Sequence, residues 1–205
     1  MPTELFERCI TETATVADQV YFHVLGEPTL HPGFGLFLKK LEQVSANRTD
    51  GKKLQLNLTT NGTTIARSGK AILASPAVRQ VNFSTHAYAE LPFDKAAENL
   101  QDVLDFCRMA AVERPDLYIN LRLWNVGDES SNAWNKYMLE QVNKAFGRVD
   151  ATDENRTPIT LEHFCSRHKS FLVEGRIYIH QDSRFEWPKS ENRISVSSSA
   201  TSSVS

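Results

Sequence analysis

Between residues 19 and 123 the sequence alternates strand-like runs with amphipathic helical stretches, and this alternation limits the fold more than any other feature. Residues 19–25 (QVYFHVL), 54–58 (LQLNL), 79–84 (RQVNFS) and 117–123 (LYINLRL) read as strands. Residues 34–45 align Phe34, Phe37, Leu38, Leu41 and Val44 on one helical face. After TTNG, Thr63 or Thr64 can cap a helix carrying Ile65, Ile72 and Leu73. Asp94 is a candidate N-cap for a helix running to Val112, with Ala97, Leu100, Val103, Leu104, Cys107 and Ala111 as its inner stripe, and Pro115 prevents its continuation.

Helices are also expected over residues 3–14, with Leu5, Phe6, Cys9 and Ile10 on one face, and over 131–146, stopped by Gly147. Residues 171–180 read as a strand or a hairpin turning at Gly175, and residues 148–170 show no pattern. The order is β-α-β-α with connections long enough for crossover helices. It implies a parallel sheet of about five strands with right-handed crossovers. An open doubly wound sheet and part of an α/β barrel both fit.

Residues 189–205 hold eight serines in seventeen positions, with Ile194, Val196 and Val204 as the only large apolar side chains. Such a segment buries too little surface to offset its ordering entropy and is expected to be disordered. The domain is therefore placed at residues 1–188.

Composition narrows the function classes. Lys plus Arg is 23 against 25 Asp plus Glu, for a formal charge of −2, and no basic block is interleaved with aromatics. Nucleic acid is not an expected partner. No apolar run reaches the length of a membrane span, and the acidic, polar N-terminus is unlike a secretory signal, so a cytoplasmic protein is expected. The three cysteines, Cys9, Cys107 and Cys165, are far apart in sequence, with no C-x-x-C pair. They suggest buried thiols rather than a local metal knot.

In parallel α/β sheets, ligands bind beyond the carboxyl ends of the strands. There the sequence delivers Gly26-Glu27-Pro28, then Thr60-Asn61-Gly62, then Ser84-Thr85-His86, and then Arg122 with Trp124-Asn125. Gly26 permits close backbone approach, and Glu27 offers a carboxylate. Arg122, read in an otherwise apolar strand, calls for an anionic partner, either Glu27 or a ligand carboxylate. Each group also has a structural reading as a turn, a helix cap or an ion pair. His23, Glu27, His31 and His86 permit a zinc reading, against which Pro28 and the strand-like composition argue.

The phrases YFHVLGEPTLHP, LNLTTNGT, VNFSTHAY, INLRLWN and YIHQDSRFEWP, in this order, resemble the radical S-adenosylmethionine family, more narrowly the members with a Cys-rich (SPASM-type) C-terminal extension. The resemblance runs from about residue 3 to residue 188. It implies a partial (β/α)6 TIM-like barrel, an oxidoreductase, and two cofactors, a [4Fe–4S] cluster and S-adenosylmethionine. The substrate is a peptide or a small molecule. It further implies that Gly26, Glu27 and Pro28 hold the methionine amino group, largely through backbone carbonyls. Ser84 and His86 would lie toward the ribose and carboxylate, with Arg122, Thr60 and Asn61 in the same cavity.

The family's C-x-x-x-C-x-x-C cluster motif is absent from this sequence, as is the Cys-rich extension. The expectation is a core lacking the barrel's first strand and truncated at both ends, unable to bind the cluster and inactive alone. The alternative is a cluster-free remnant that binds a nucleoside or a partner without catalysis.

Overall fold

The structure is a computed structural model, and it describes residues 1–23, 26–85, 88, 91–124, 129–148, 156–165 and 170–182. Its helices are α1 (Thr3–Thr13), α2 (Phe34–Ala46), α3 (Ile65–Ala74), α4 (Phe93–Glu113), α5 (Glu129–Ala145) and α6 (Leu161–Cys165). Its strands are β1 (Gln19–Phe22), β2 (Gln55–Thr60), β3 (Val78–Phe83), β4 (Tyr118–Trp124), β5 (Ser170–Glu174) and β6 (Ile177–Asp182). They form one six-stranded sheet in the order β1-β2-β3-β4-β6-β5. All neighbours are parallel except the β5–β6 hairpin, which turns at Gly175. The protein is α/β, with a mostly parallel sheet. The sheet is not closed: β1 forms one edge and β5 the other. The expected hairpin at 171–180 is thus two strands, and the sheet has six rather than about five.

The first four strands lie in sequence order with no reversal. Right-handed crossovers then put every connecting helix on the same face. The helix contacts agree, since each consecutive pair from α1 to α5 is in contact. Val20, Phe22, Leu56, Leu58, Val81, Phe83, Ile119, Leu121, Ile177 and Ile179 pack beneath them. The helices contribute Phe6, Phe37, Leu41, Ile72, Leu100, Leu104 and Met138 to the same core.

The alternate residues face the other way, and they are polar. Register places Tyr21, Asn57, Gln80 and Tyr118 in one row, and Thr59, Asn82, Asn120 and Tyr178 in the next. Parallel strands covered by helices on both faces read as continuous apolar runs. These strands alternate, which is not the pattern of a doubly wound sheet.

Several local expectations are corrected. Asp94 is not the N-cap of α4. The helix starts one residue earlier, after Pro92, and Asp94 lies in its first turn. Thr64 is the N-cap of α3 but makes no side-chain cap bond, because its hydroxyl is bonded to Thr29. Ala97 is half-buried, while Ala96 and Phe106 carry the inner stripe of α4. Residues 161–165 supply a helix where no pattern was legible. The Ser-rich segment 189–205, with its expected disorder, lies outside the described residues. Among the described residues, no helix is long and apolar enough to cross a membrane.

Candidate functional site

At the carboxyl end of β2 the chain must turn sharply from strand to helix. Gly62 makes that turn at φ +76°. A Cβ there would lie 2.6 Å from the Tyr88 hydroxyl oxygen and 2.7 Å from Val103 Cγ2, so no other residue fits without displacement. The Thr60 hydroxyl accepts the Gly62 N–H at 3.0 Å. Asn61 Oδ1 accepts both the N–H and the hydroxyl of Thr63. The buried Tyr88 donates its hydroxyl to the Asn61 carbonyl at 2.5 Å. Burial first, then the nearby Glu27 and Asp102 charges, push the Tyr88 phenol well above its usual range, which keeps it a donor.

The corner after β1 is tied to this turn through Glu27. Glu27 Oε1 accepts the Thr29 N–H at 3.1 Å, the Thr29 hydroxyl at 2.5 Å and the Thr60 hydroxyl at 2.7 Å. Glu27 Oε2 accepts the Asn61 N–H at 2.6 Å. Every partner is a donor, which a carboxylate satisfies and a carboxamide does not. Because the Thr29 hydroxyl donates to Glu27, its 2.5 Å contact with Thr64 takes its proton from Thr64. Pro28 opens a single 3₁₀ turn, Pro28–Leu30, with Glu27 as its N-cap. The Glu27 and Pro28 carbonyls accept the N–H groups of Leu30 and His31. Each oxygen keeps a second lone pair for a ligand.

The corner borders a cavity of about 350 Å³. Gly26, Glu27 and Pro28 form one wall, and Phe6, Phe22, Phe34, Phe37 and His31 form much of the rest. Phe6 stacks on Phe37 with ring centroids 4.1 Å apart, and His31 leans on Phe37 at 4.6 Å. The volume falls in the range of small-molecule sites.

The expected site residues are only partly brought together. Glu27, Thr60 and Asn61 share one hydrogen-bonded cluster, with Gly26 and Pro28 flanking Glu27 in the chain. Ser84 follows β3, half-buried, and its N–H donates to the Thr60 carbonyl at 2.8 Å. Arg122 sits on β4 in register with His180. Its backbone carbonyl accepts the Thr85 hydroxyl at 2.8 Å. Of the two anionic partners open to Arg122, Glu27 is not the one, because its carboxylate is committed to Thr29, Thr60 and Asn61. His86 lies outside the described residues. Among the described residues, no three His, Cys, Asp or Glu side chains are grouped to hold a metal ion. His31 instead accepts the Gly33 N–H on Nδ1.

Sequence reasoning missed Thr29 and Tyr88, which fix the corner, took Thr64 only as a helix cap, and missed Asn57, Gln80, Asn82 and Asn120, which line the polar face. The signal for Asn57 and Asn120 was present, since apolar and polar residues alternate through QLNL and YINLRL, whereas VRQVNF, which holds Gln80 and Asn82, does not alternate.

No family model matches this chain, and no match to it is found among the curated proteins or the solved structures.

Proposed function

We propose that the chain is an S-adenosylmethionine-binding α/β core of the radical S-adenosylmethionine type, which by itself binds the cofactor without cleaving it reductively. The observation that carries this reading is the Glu27 clamp, which fixes the Gly26–Pro28 corner to the end of β2 at the rim of the sheet. The unreversed strand order, the single helix layer and the polar second face favour the wall of a partial barrel over a doubly wound sheet.

The residues at the corner fit the cofactor's methionine end. Gly26 turns at φ +83° and leaves this part of the cavity wall without a side chain, with open space where a Cβ would stand. The Glu27 and Pro28 carbonyls offer lone pairs to an ammonium, and the aromatic cavity wall offers apolar contact. The Glu27 carboxylate is a positioning group: it holds the corner and does not itself face the ligand. Ser84 and Arg122 would meet the polar part of the cofactor from β3 and β4. S-adenosylmethionine, when bound, would supply an electrophilic sulfonium.

The [4Fe–4S] cluster does not fit this chain. It has three cysteines, and Cys107 is wholly buried within α4 with its thiol pushed far up by burial. The two that remain are fewer than the three thiolates that such a cluster takes in this family. No step is derived through it.

Calorimetric titration of the purified chain with S-adenosylmethionine and with S-adenosylhomocysteine tests the proposal. Saturable one-to-one binding of either supports it. Absence of binding to both, by a protein with native circular dichroism, overturns it.

A further inference from the structure

A second cavity, of about 530 Å³, lies between the carboxyl-terminal ends of α1 and α2, at the end of β1 remote from the Gly26–Pro28 corner. Its volume suits a small molecule. Glu7, Thr11, Ala14 and Thr15 line it from one side, at the spacing of a single helical face. The Thr11 hydroxyl donates to the Glu7 carbonyl at 2.8 Å, and the Thr15 hydroxyl to the Glu12 carbonyl at 2.7 Å. With their protons spent, both oxygens can only accept. The Glu7 and Asp50 carboxylates likewise only accept, and the hydrogen bond from Arg48 holds the Asp50 carboxyl well below its usual range. Arg48 also borders the cavity, but its four hydrogen bonds go to the Ala17 carbonyl, Asp18 and Asp50. The amides of Gln43 and Asn47 and the Thr49 hydroxyl can turn either way and impose no choice. Both helices end here with no basic residue in the last turn, so the negative ends of two helix dipoles meet the cavity.

We propose that this cavity binds a primary alkylammonium, whose N–H groups donate to the Thr11 hydroxyl oxygen and the Glu7 carboxylate and whose alkyl chain lies on Ala14 and Val44. The formal charges around the cavity balance: Lys40 pairs with Glu7, Arg48 with Asp18 and Asp50, and Lys52 with Asp18. Net charge therefore does not choose the ligand, and the unspent acceptors do. An ammonium offers three donors and no acceptor, which is the complement of this lining. A carboxylate ligand would set acceptor against acceptor. A quaternary ammonium has the charge but no N–H to give. Ala14 is buried and Val44 packs against the core, so they supply the apolar part of the wall. This inference goes beyond the cofactor reading and does not depend on it.

The test adds n-butylammonium chloride to ¹⁵N-labelled full chain at constant ionic strength and neutral pH, and follows the backbone amide signals of Thr11, Thr15 and Asn47. Saturable shifts of these signals, with Gly26 and Asn61 unmoved, are expected. Tetramethylammonium, butyrate and methyl glucoside serve as controls for charge, for an anion and for a neutral hydroxyl-rich ligand. No saturable shift with n-butylammonium, or an equal response to any control, overturns the proposal. Shifts at Gly26 and Asn61 in place of these signals put the amine at the cofactor corner and also overturn it. Thr11→Val removes one acceptor at an exposed position and keeps the side-chain volume. It is expected to weaken binding about fivefold with an unchanged circular dichroism spectrum, and Thr11→Ser is expected to restore it. Unchanged binding in Thr11→Val, or no recovery in Thr11→Ser, contradicts the proposal.

Discussion

Glu27 Oε2 accepts the backbone N–H of Asn61 at 2.6 Å, across 34 positions of sequence. This one bond joins the loop after β1 to the turn after β2, and with it the two rim segments become a single object. Four donors converge on the carboxylate, from Thr29 twice, Thr60 and Asn61.

Replacing the carboxylate by its amide places a donor among donors. Glu27→Gln is expected to destabilise the chain by about 1–3 kcal/mol. It is also expected to weaken S-adenosylmethionine binding. Urea unfolding measures the first and calorimetry the second. A variant as stable as the parent would show that the clamp carries no energy.

Gly62→Ala must fail for two separable reasons. A left-handed φ in a non-glycine residue costs about 1–3 kcal/mol. The added methyl also meets the Tyr88 hydroxyl oxygen at 2.6 Å. Tyr88→Phe alone loses the bond to the Asn61 carbonyl, at about 1 kcal/mol. The double variant is therefore expected to cost less than the sum of the singles, since the phenylalanine removes the atom that the methyl strikes. Strict additivity in denaturant titrations would contradict the geometry.

The opposite end of the sheet shows the pH dependence of a structural pair. Arg114 donates to the carbonyls of Leu73, Ser75 and Val78 and forms an ion pair with Asp116. The guanidinium hydrogen bond holds the Asp116 carboxyl below its ordinary value of 3.8. The unfolded chain then takes up this proton at a higher pH than the folded one. The pair's contribution is fully present above the ordinary carboxylate value and is lost as pH falls through the lower folded value. The stability gap between the parent and Asp116→Asn is expected to be constant near neutrality and to close as pH drops below about 4. A gap that widens on acidification would reverse the sign of this account.

Reconstitution with iron and sulfide under reductant is expected to yield no 5′-deoxyadenosine from S-adenosylmethionine. Cys107 sits at the centre of the core, and two further thiols cannot supply three ligands. Reductant-dependent release of 5′-deoxyadenosine by the chain alone would overturn the reading of the thiols.

The alternation of elements was legible because each helix and strand carries its own local period. The clamp was not, because Glu27 meets Asn61 only once parallel register brings β1 beside β2. The setting of Arg122 depends on the same register. Scanned as a run, LYINLRL is apolar but for Asn120 and Arg122, two positions apart. Split by the pleat, it gives Tyr118, Asn120 and Arg122 to one face and Ile119, Leu121 and Leu123 to the other. The short α6 left no trace, since five residues hold little more than one helical turn. The α4 start shifted because Pro92, not Asp94, occupies the N-cap position, and no side chain caps the helix there.

The most direct test of the central claim is a backbone amide spectrum of the ¹⁵N-labelled chain, recorded while S-adenosylmethionine is added. The account predicts that the Gly26 and Asn61 signals move first and together, saturating at one equivalent, and that they stay still in Glu27→Gln at the same ligand concentration. Binding that leaves both signals unmoved, or that shifts residues between α5 and α6 instead, would place the ligand elsewhere and contradict it.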